Sequence, residues 1–333
     1  MSLPVIAQQE KLDYIFSTIY SVYTLMGALL NGFLLSLIIL HKQQDIQRYR
    51  ILLGNTTCTL LLLSILVFFL QPRFVMATDS MAYVSLGPAR FINSPIFNLF
   101  ATAFMFVFDI YSFMTLAMCM VYKYITLART SPSVERIFGV IGLLFLLPLS
   151  SGAALIIYSP NFTKLYATME AGHPEYNLSR YGKYCGLPDV KNYYVVYFFV
   201  VVCSIGVLSY VIMIITGLKI RRYVLSVHSN MSKKTSRTFN MMIKALVIQS
   251  CMPIFFSFPT KALYFLMQFG SFESLIGEYL VFFMSPIIVV VDPCVTMYYV
   301  LPYRSYILKK LRLDRNKQFA HTVSVQPTLS ART

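Results

Sequence analysis

Seven apolar stretches occupy most of this 333-residue chain, and each is long enough to cross a lipid bilayer. A membrane span needs about 20 mostly apolar residues, and inside lipid its backbone must satisfy its own hydrogen bonds, so each stretch is predicted to be a helix. Because seven is an odd number, the two termini should lie on opposite sides of the membrane. The predicted fold class is an all-α, integral membrane bundle of seven transmembrane helices. The predicted spans are Leu12–Leu40, Ile51–Gln71, Ile96–Tyr122, Ile137–Tyr158, Tyr193–Leu218, Met241–Gln268 and Ile276–Leu301.

The composition and the placement of charge support this prediction. Charged residues make up 12% of the chain, against about 25% in an ordinary soluble domain. A net charge of +15 would suit nucleic acid, but the basic residues are unevenly distributed. Of the 28 Lys and Arg residues, 20 lie in the first, third and fifth loops and the tail, and 7 lie in the N-terminal segment and the other loops. Basic residues mark the cytosolic side, so we expect an extracellular N-terminus, a cytosolic C-terminus and no nucleic-acid partner.

The same pattern predicts three regions. Residues 1–11 form a short extracellular N-terminus, residues 12–301 form the seven-helix transmembrane domain, and residues 302–333 form a basic, partly disordered cytosolic tail. The sequons at Asn161 and Asn177 lie in a loop predicted to be extracellular, so both are candidate glycosylation sites. Cys185 is the one cysteine in an extracellular loop, which leaves its pairing open.

Three ionisable residues stand out inside the predicted spans. They are Asp109 in the third span, Lys261 in the sixth and Asp292 in the seventh. Charges in a membrane are costly and are functional candidates by default. For Asp109, a structural hydrogen bond between helices competes with a ligand contact. For Lys261, the alternative is that its ammonium reaches the outer membrane interface.

The helical neighbours of Asp109 suggest a ligand pocket. Met105, Phe106, Ser112 and Phe113 fall at three- and four-residue spacings from Asp109 and therefore share its face. Apolar surface with a few polar groups is the usual composition of a small-molecule pocket, although aromatic residues at this spacing are also common in plain helix packing. The predicted ligand-binding residues are Asp109, Phe106, Met105, Phe113 and Lys261.

Prolines cluster in the last two spans. Pro253, Pro259, Pro286 and Pro293 are each expected to break the sixth or the seventh helix internally, because proline removes a backbone hydrogen bond and kinks the helix. A kinked helix can have two arrangements that a ligand biases, whereas the simpler interpretation is a static bend. The predicted conformational switch consists of Pro253, Asp292 and Pro293.

Basic residues line the predicted cytosolic face at the ends of the fifth, sixth and seventh helices. Such clusters attract anionic lipids of the inner leaflet, and they also suit a cytosolic protein partner. Together with three residues at the end of the third span, they form the predicted coupling surface. Its members are Tyr122, Lys123, Tyr124, Arg221, Arg222, Lys233, Lys234 and Arg304.

Several short motifs, in order along the seven spans, are similar to those of one receptor family. The motifs are Gly27–Asn31, Tyr49–Leu52, Gln71–Arg73, Tyr122–Tyr124, Ser232–Thr235, Ala245–Gln249, Asp292–Pro293 and Pro302–Arg304. From about Tyr14 to Ile307 the chain resembles the nematode serpentine chemoreceptors, which are G-protein-coupled-receptor-like, and most of all serpentine receptor class delta.

The resemblance implies a chemosensory receptor. It would bind an environmental small molecule, such as an odorant or a pheromone-like compound, and signal to a heterotrimeric G protein in olfaction. The implied location is the plasma membrane, and more specifically the sensory cilium. Lys123 and Thr296 depart from the rhodopsin-like pattern, in which arginine and tyrosine are expected, and the helix-three-to-loop disulfide is absent.

Other classes of protein fit less well. A seven-span odorant-gated channel has an internal N-terminus, and a secondary transporter commonly shows repeated halves, which this chain lacks. An intramembrane hydrolase would need metal ligands or a nucleophile motif in the spans, but His41, His173, His228 and His321 all lie in loops or the tail. We therefore expect no enzyme activity, no metal and no cofactor.

Overall fold

The computed structural model describes residues 3–40, 47–128, 132–158, 160–227, 244–245, 247–249, 251–270 and 272–310. In chain order, the helices and strands are α1 (Leu3–Leu40), α2 (Gln47–Leu70), β1 (Pro72–Ala77), β2 (Ser80–Ser85), α3 (Pro95–Ala128), α4 (Val134–Ile157), α5 (Phe162–Gly172), β3 (Cys185–Leu187), α6 (Tyr193–Val227), α7 (Phe258–Phe269), α8 (Leu275–Phe283), α9 (Ile288–Tyr299) and α10 (Leu301–Lys310). Short 3₁₀ segments occupy Pro88–Phe91, Leu178–Tyr181 and Ser285–Ile287.

Six stretches of the described chain are long and apolar enough to cross a membrane. They agree with the predicted first five spans and the seventh, and they are Ile6–Leu40, Arg48–Leu70, Pro95–Leu127, Val134–Ile157, Tyr193–Tyr223 and Leu275–Tyr299. The predicted sixth span is described in part. Residues 244–245, 247–249 and 251–252 are helical, a π-helical segment follows at Pro253–Ser257, and α7 completes the span.

The ends of several helices differ from the predicted spans. Helix α1 begins at Leu3 rather than Leu12, because Glu10 and Asp13 pair with arginines of later segments and so fold into the bundle. Helices α3 and α6 continue past Tyr122 and Leu218 toward the predicted cytosolic side. Beyond the seventh span, the first part of the predicted tail forms α10.

Helix α3 is central to the packing of the bundle. It packs against α2, α4 and α6, while α1 packs against α2 and α9. Helices α1 and α9 approach most closely at Gly27, where an added Cβ atom would lie 2.5 Å from Cγ2 of Val289. A residue without a side chain is therefore required at this crossing.

A three-stranded antiparallel sheet covers one end of the bundle. The strand order is β1-β2-β3, and its register pairs Phe74 with Tyr83 and Tyr83 with Cys185. The sheet is buried on most of its surface, and Gln268 at the end of α7 donates a hydrogen bond to the carbonyl of Ala77, with a nitrogen–oxygen distance of 3.0 Å. The prediction of helices alone was incomplete here, because β1 and β2 are short and lie between two much stronger helical signals.

The last span is interrupted at Pro286 and not at Pro293. Helix α8 ends at Phe283, and the 3₁₀ segment that contains Pro286 joins it to α9. Helix α9 runs without a break through Pro293. The expected interruption at Pro293 was wrong, because another helix supplies a donor to the carbonyl that this proline leaves unpaired. Asn31 of α1 donates its side-chain amide to the carbonyl of Val289, four residues before Pro293.

Candidate functional site

Two cavities lie inside the helical bundle and share Lys261 as a wall residue. The smaller cavity has a volume of about 80 Å³, and the larger has a volume of about 570 Å³. Drug-sized ligands occupy pockets of roughly 300–1,000 Å³. The larger cavity therefore has the size of a small-molecule site, whereas the smaller one does not.

Asp109 lines the smaller cavity and is 6% exposed. Its Oδ1 atom accepts a hydrogen bond from the hydroxyl of Ser285 at 2.9 Å. This bond ties the middle of α3 to the 3₁₀ segment that interrupts the seventh span. Asp109 was predicted either to form a hydrogen bond between helices or to contact a ligand. The structure contains the first of these, the hydrogen bond to Ser285.

Lys261 points into the bundle and not toward the sheet-covered end. Its ammonium donates a hydrogen bond to the hydroxyl of Ser257, one turn earlier in the sixth span, and lies 5.3 Å from the centre of the Phe113 ring. The sheet-covered end of α7 lies in the opposite direction, at Gln268. The ammonium therefore lies within the bundle, between Ser257 and Phe113.

Lys261 interacts electrostatically with Asp109 but is not ion-paired to it. Among the described residues, its nitrogen forms no ion pair within 4.0 Å, although Asp109 and Lys261 both line the smaller cavity. A cation of this kind inside a membrane protein is costly unless an anion compensates it.

The larger cavity lies between α3, α6 and the sixth span. Its lining includes Phe113 and Lys261, two of the five predicted ligand-binding residues. Phe106 and Asp109 line the smaller cavity, and Met105 is fully buried in the core and lines neither. The described residues that line the larger cavity are Phe113, Cys203, Gly206, Val207, Tyr210, Ile254, Ser257, Phe258, Lys261, Ala262 and Phe265.

An aromatic cluster closes the smaller cavity toward the sheet. The ring of Phe106 lies 6.1 Å from Phe74 and 5.8 Å from Tyr83, which come from the paired strands β1 and β2. It also lies 5.2 Å from Phe198 of α6 and 5.8 Å from Phe282 of α8. The two sheet residues were missed in the sequence, because their approach to the bundle depends on the hairpin.

The fully buried guanidinium of Arg73 forms a second polar cluster under the sheet. Its nitrogens lie 2.6 and 3.0 Å from Oε2 of Glu278, 3.5 Å from Asp13 and 3.0 Å from the hydroxyl of Tyr181. The Asp13 carboxylate accepts hydrogen bonds from Tyr181 and Tyr279, at 2.5 and 2.6 Å. The cluster therefore joins α1, β1, the 3₁₀ segment Leu178–Tyr181 and α8.

Electrostatics explain why Arg73 remains charged in this position. Burial by itself lowers the pKa of its guanidinium, but the neighbouring Glu278 carboxylate raises that pKa above its ordinary value. The sequence carried one signal of this cluster: Glu278 is an acidic residue within the predicted seventh span, and a buried carboxylate requires a partner.

The predicted coupling residues lie at the opposite end of the bundle. Tyr122 stacks on Tyr49 of α2, with ring centres 5.9 Å apart, and the ammonium of Lys123 lies 5.2 Å from the centre of the same Tyr49 ring. Lys219 lies 5.7 Å from the ring centre of Tyr124. These contacts join α3 to α2 and α6.

The remaining coupling residues are distributed over the same end. Arg221 and Arg222 are exposed near the end of α6, and Arg304 of α10 lies 4.8 Å from the ring of Tyr298. Lys233 and Lys234 lie outside the described residues.

Gln249 and Asp292 connect the last two spans. The side-chain amide of Gln249 donates to Oδ1 of Asp292 at 3.0 Å, and both residues are buried. Of the predicted switch residues, Asp292 therefore holds the sixth span against α9. Pro253 opens the π-helical segment of the sixth span.

The loop between α4 and α6 carries the sequons and Cys185. Asn161 accepts a hydrogen bond from the backbone N–H of Lys164 as the N-cap of α5, and both Asn161 and Asn177 are exposed. Cys185 is a free, buried cysteine in β3, 3.7 Å from the hydroxyl of Thr102. Burial raises the pKa of its thiol to about 12.

The fold belongs to a known class of integral membrane proteins, the seven-transmembrane-helix bundles. The crystal structure of squid rhodopsin matches it with a TM-score of 0.61, covering 96% of this chain and 93% of that chain at 12% identity.

The sequence identifies the family within that class. A model of the family "Serpentine type 7TM GPCR chemoreceptor Srd" matches residues 16–309, so the chain belongs to this family of multi-pass membrane chemoreceptors. Serpentine receptor class delta-32 of Caenorhabditis elegans is 26% identical over 90% of this chain and 88% of its own length. Serpentine receptor class delta-33 of the same organism is 28% identical over 89% and 86%. The resemblance noted from the motifs is confirmed.

Proposed function

We propose that the chain binds a small molecule in the larger cavity and transmits binding to a heterotrimeric G protein at the opposite end of the bundle. The observation that carries this proposal is a cavity of about 570 Å³ whose wall includes Lys261, a partly buried cation of the sixth span that forms no ion pair within 4.0 Å among the described residues. A ligand that compensates this charge would favour one position of the sixth span over another.

Two hydrogen bonds support a path from this cavity to the coupling end. Asp109 of α3 is bonded to Ser285 where the seventh span is interrupted. Farther along, Gln249 of the sixth span is bonded to Asp292 of α9. The sixth span thus contacts the ligand cavity through Lys261 and the seventh span through Gln249. A shift of the sixth span changes both contacts together.

The orientation and the partners are part of the same proposal. The sheet-covered end faces outward, Asn161 and Asn177 are available there for glycosylation, and the basic end faces the cytosol. Tyr122–Tyr124, Arg221, Arg222 and Arg304, together with Lys233 and Lys234, would contact the G protein and the anionic inner leaflet. The environmental ligand would be an odorant or a pheromone-like compound, and the receptor would act in olfaction at the plasma membrane of a sensory cilium.

A topology experiment tests the orientation. A tag on the C-terminal tail is probed in intact and permeabilised cells, and glycosidase sensitivity is compared with that of the Asn161→Gln/Asn177→Gln variant. We expect a tag accessible only after permeabilisation and a glycan absent from the variant. A tag accessible on intact cells would overturn the proposed coupling surface and favour an odorant-gated channel.

A second experiment tests coupling directly. The purified receptor in lipid nanodiscs is mixed with heterotrimeric G proteins, and basal nucleotide exchange is measured. We expect exchange above that of empty nanodiscs, reduced in an Arg221→Ala/Arg222→Ala variant and unchanged in a Lys164→Ala control on exposed α5. Exchange equal to that of empty nanodiscs with every G-protein class tested would overturn the coupling proposal.

A further inference from the structure

Among the described residues that line the larger cavity, one carries a charge. Lys261 supplies it, while the other polar groups of the lining are the hydroxyls of Ser257 and Tyr210 and the thiol of Cys203. A cationic headgroup in this cavity would be repelled by the ammonium, and a neutral one would provide no anion on the side of the ammonium that faces the larger cavity. An anionic headgroup satisfies both the charge and the hydrogen-bonding capacity of Lys261.

Asp109 does not compete for that position. It lines the smaller cavity and is absent from the lining of the larger one. Its Oδ1 atom is bonded to Ser285. An anion in the larger cavity therefore meets the ammonium from the side that Asp109 does not occupy, which limits repulsion between the two carboxylates.

The outer wall of the larger cavity reaches the surface of the bundle within the membrane. Three of its apolar lining residues are strongly exposed: Val207 of α6 by 59%, Phe258 of α7 by 69% and Ile254 by 41%. Val207 lies within a membrane-spanning helix, so the exposed wall faces lipid chains and not water. The cavity thus has a charged inner wall and an apolar wall that is open to the bilayer between α6 and α7.

We propose that the ligand is an amphiphile with a carboxylate headgroup and an apolar chain, and that it reaches Lys261 from the bilayer between α6 and α7. This inference rests on the proposed function in that it names the class of ligand that the larger cavity takes. The carboxylate pairs with Lys261, and the chain extends along Val207, Phe258 and Ile254. Ligands of this kind partition into the membrane before they bind.

The test measures ligand-induced thermal stabilisation of the receptor in nanodiscs, without a G protein. The probes are decanoate, decanol and decylamine, which share a chain and differ in headgroup charge. A ligand that binds the folded receptor raises its unfolding temperature by mass action. We expect decanoate to stabilise the wild-type receptor more than the other two. Equal stabilisation by decanol, or none by decanoate, would overturn the inference.

Variants locate the effect in this cavity. Lys261→Met should weaken decanoate binding about tenfold or more, as expected for the loss of a charge-assisted hydrogen bond, whereas Lys261→Arg should largely preserve it. Lys164→Met removes the same charge from an exposed position of α5 and should leave decanoate binding unchanged. Decanoate binding that is equal in Lys261→Met and the wild type would contradict the assignment.

A second variant does not depend on the folding of Lys261→Met. A Cβ atom added at Gly206 would lie 3.8 Å from Cε of Lys261, an ordinary contact, so Gly206→Leu should fit and fill the cavity. Gly142→Leu on α4 is the matched control, because an added Cβ there meets nothing within 4 Å. If decanoate no longer stabilises Gly206→Leu but still stabilises Gly142→Leu, the proposed site is supported. If decanoate still stabilises Gly206→Leu, the proposed site is overturned.

The outcomes separate this inference from the proposed function. Stabilisation by decanoate without G-protein activation would support the ligand class and count against coupling. Basal nucleotide exchange together with no stabilisation by decanoate would support coupling and overturn the ligand class.

Discussion

The side-chain amide of Asn31 donates a hydrogen bond to the backbone carbonyl of Val289, over a nitrogen–oxygen distance of 2.7 Å. This carbonyl would normally accept from residue 293, but Pro293 has no N–H. Asn31 also donates to the carbonyl of Gly27 at 2.8 Å, and the absence of a side chain at Gly27 lets α1 approach Val289. Two motifs that are far apart in the sequence, Gly27–Asn31 and Asp292–Pro293, thus meet in one contact between α1 and α9.

Replacing Asn31 tests this contact. Asn31→Leu leaves the Val289 carbonyl unsatisfied in a buried site and should destabilise the receptor by about 1–3 kcal/mol. Pro293→Ala restores an N–H at residue 293, so Asn31→Leu should cost less in that background. The measurement is the unfolding midpoint of the four proteins of this double-mutant cycle in nanodiscs. Strict additivity would show that Asn31 and Pro293 act independently.

Replacing Arg73 should lower the stability of the folded receptor more than replacing most other residues outside the spans. Arg73→Met leaves the carboxylates of Glu278 and Asp13 without their buried cation, which typically costs about 3–5 kcal/mol. Surface expression and the unfolding midpoint should both fall. Lys191→Met is the control, because Lys191 pairs with Asp79 at a site where the two side chains are 72% and 54% exposed, so that its loss should change the unfolding midpoint little. Equal losses in the two variants would contradict a special role for Arg73.

The bond between Gln249 and Asp292 should restrain the receptor in the described conformation. Gln249→Leu removes the amide that joins the sixth span to α9, and we expect basal nucleotide exchange to rise about fivefold or more. Asp292→Asn should also alter basal nucleotide exchange. Gln268→Leu is the matched control, because Gln268 bonds to the sheet at the other end of α7. Unaltered exchange at equal expression in Gln249→Leu and Asp292→Asn would remove this bond from the mechanism.

Cys185 should be unreactive in the folded receptor. Its buried thiol has a pKa raised to about 12, and only the thiolate is nucleophilic, so maleimide should fail to label it at pH 8. Because the pKa is raised, the neutral thiol is the form that folding favours, and reactivity should rise only as the pH approaches 12 or the protein unfolds. Mass spectrometry of the labelled peptide is the measurement. Ser179→Cys, at an exposed position of the same loop, should label readily at pH 8. Rapid labelling of native Cys185 would contradict its burial.

Much of the architecture was predictable from the chain alone. The family follows from the motif resemblance, whereas the spans and the presence of Asp109, Lys261 and Asp292 inside the bundle follow from apolar length and from the cost of charge in lipid. These signals are strong because the membrane imposes them on every residue of a span, whatever the neighbouring helices do.

The candidate site was less predictable. Phe106, Asp109 and Lys261 share one cavity and Phe113 and Lys261 share another, but Met105 packs elsewhere although it lies on the same helical face as Asp109. Helical spacing defines a face, and the neighbouring helices decide which part of that face borders a cavity. The role of each of these residues in ligand binding stays a prediction.

The amino-acid sequence by itself determined that this chain is a seven-helix membrane receptor and which residues of its spans carry charge. Only the tertiary structure decided the partners of those charges: Ser285 for Asp109, Ser257 for Lys261, Gln249 for Asp292, and Glu278 for Arg73. The reason is physical. Transfer into lipid depends on the composition of a local segment, whereas a hydrogen bond depends on the relative positions of segments that can lie far apart in the chain, such as Arg73 and Glu278, which are separated by 205 residues.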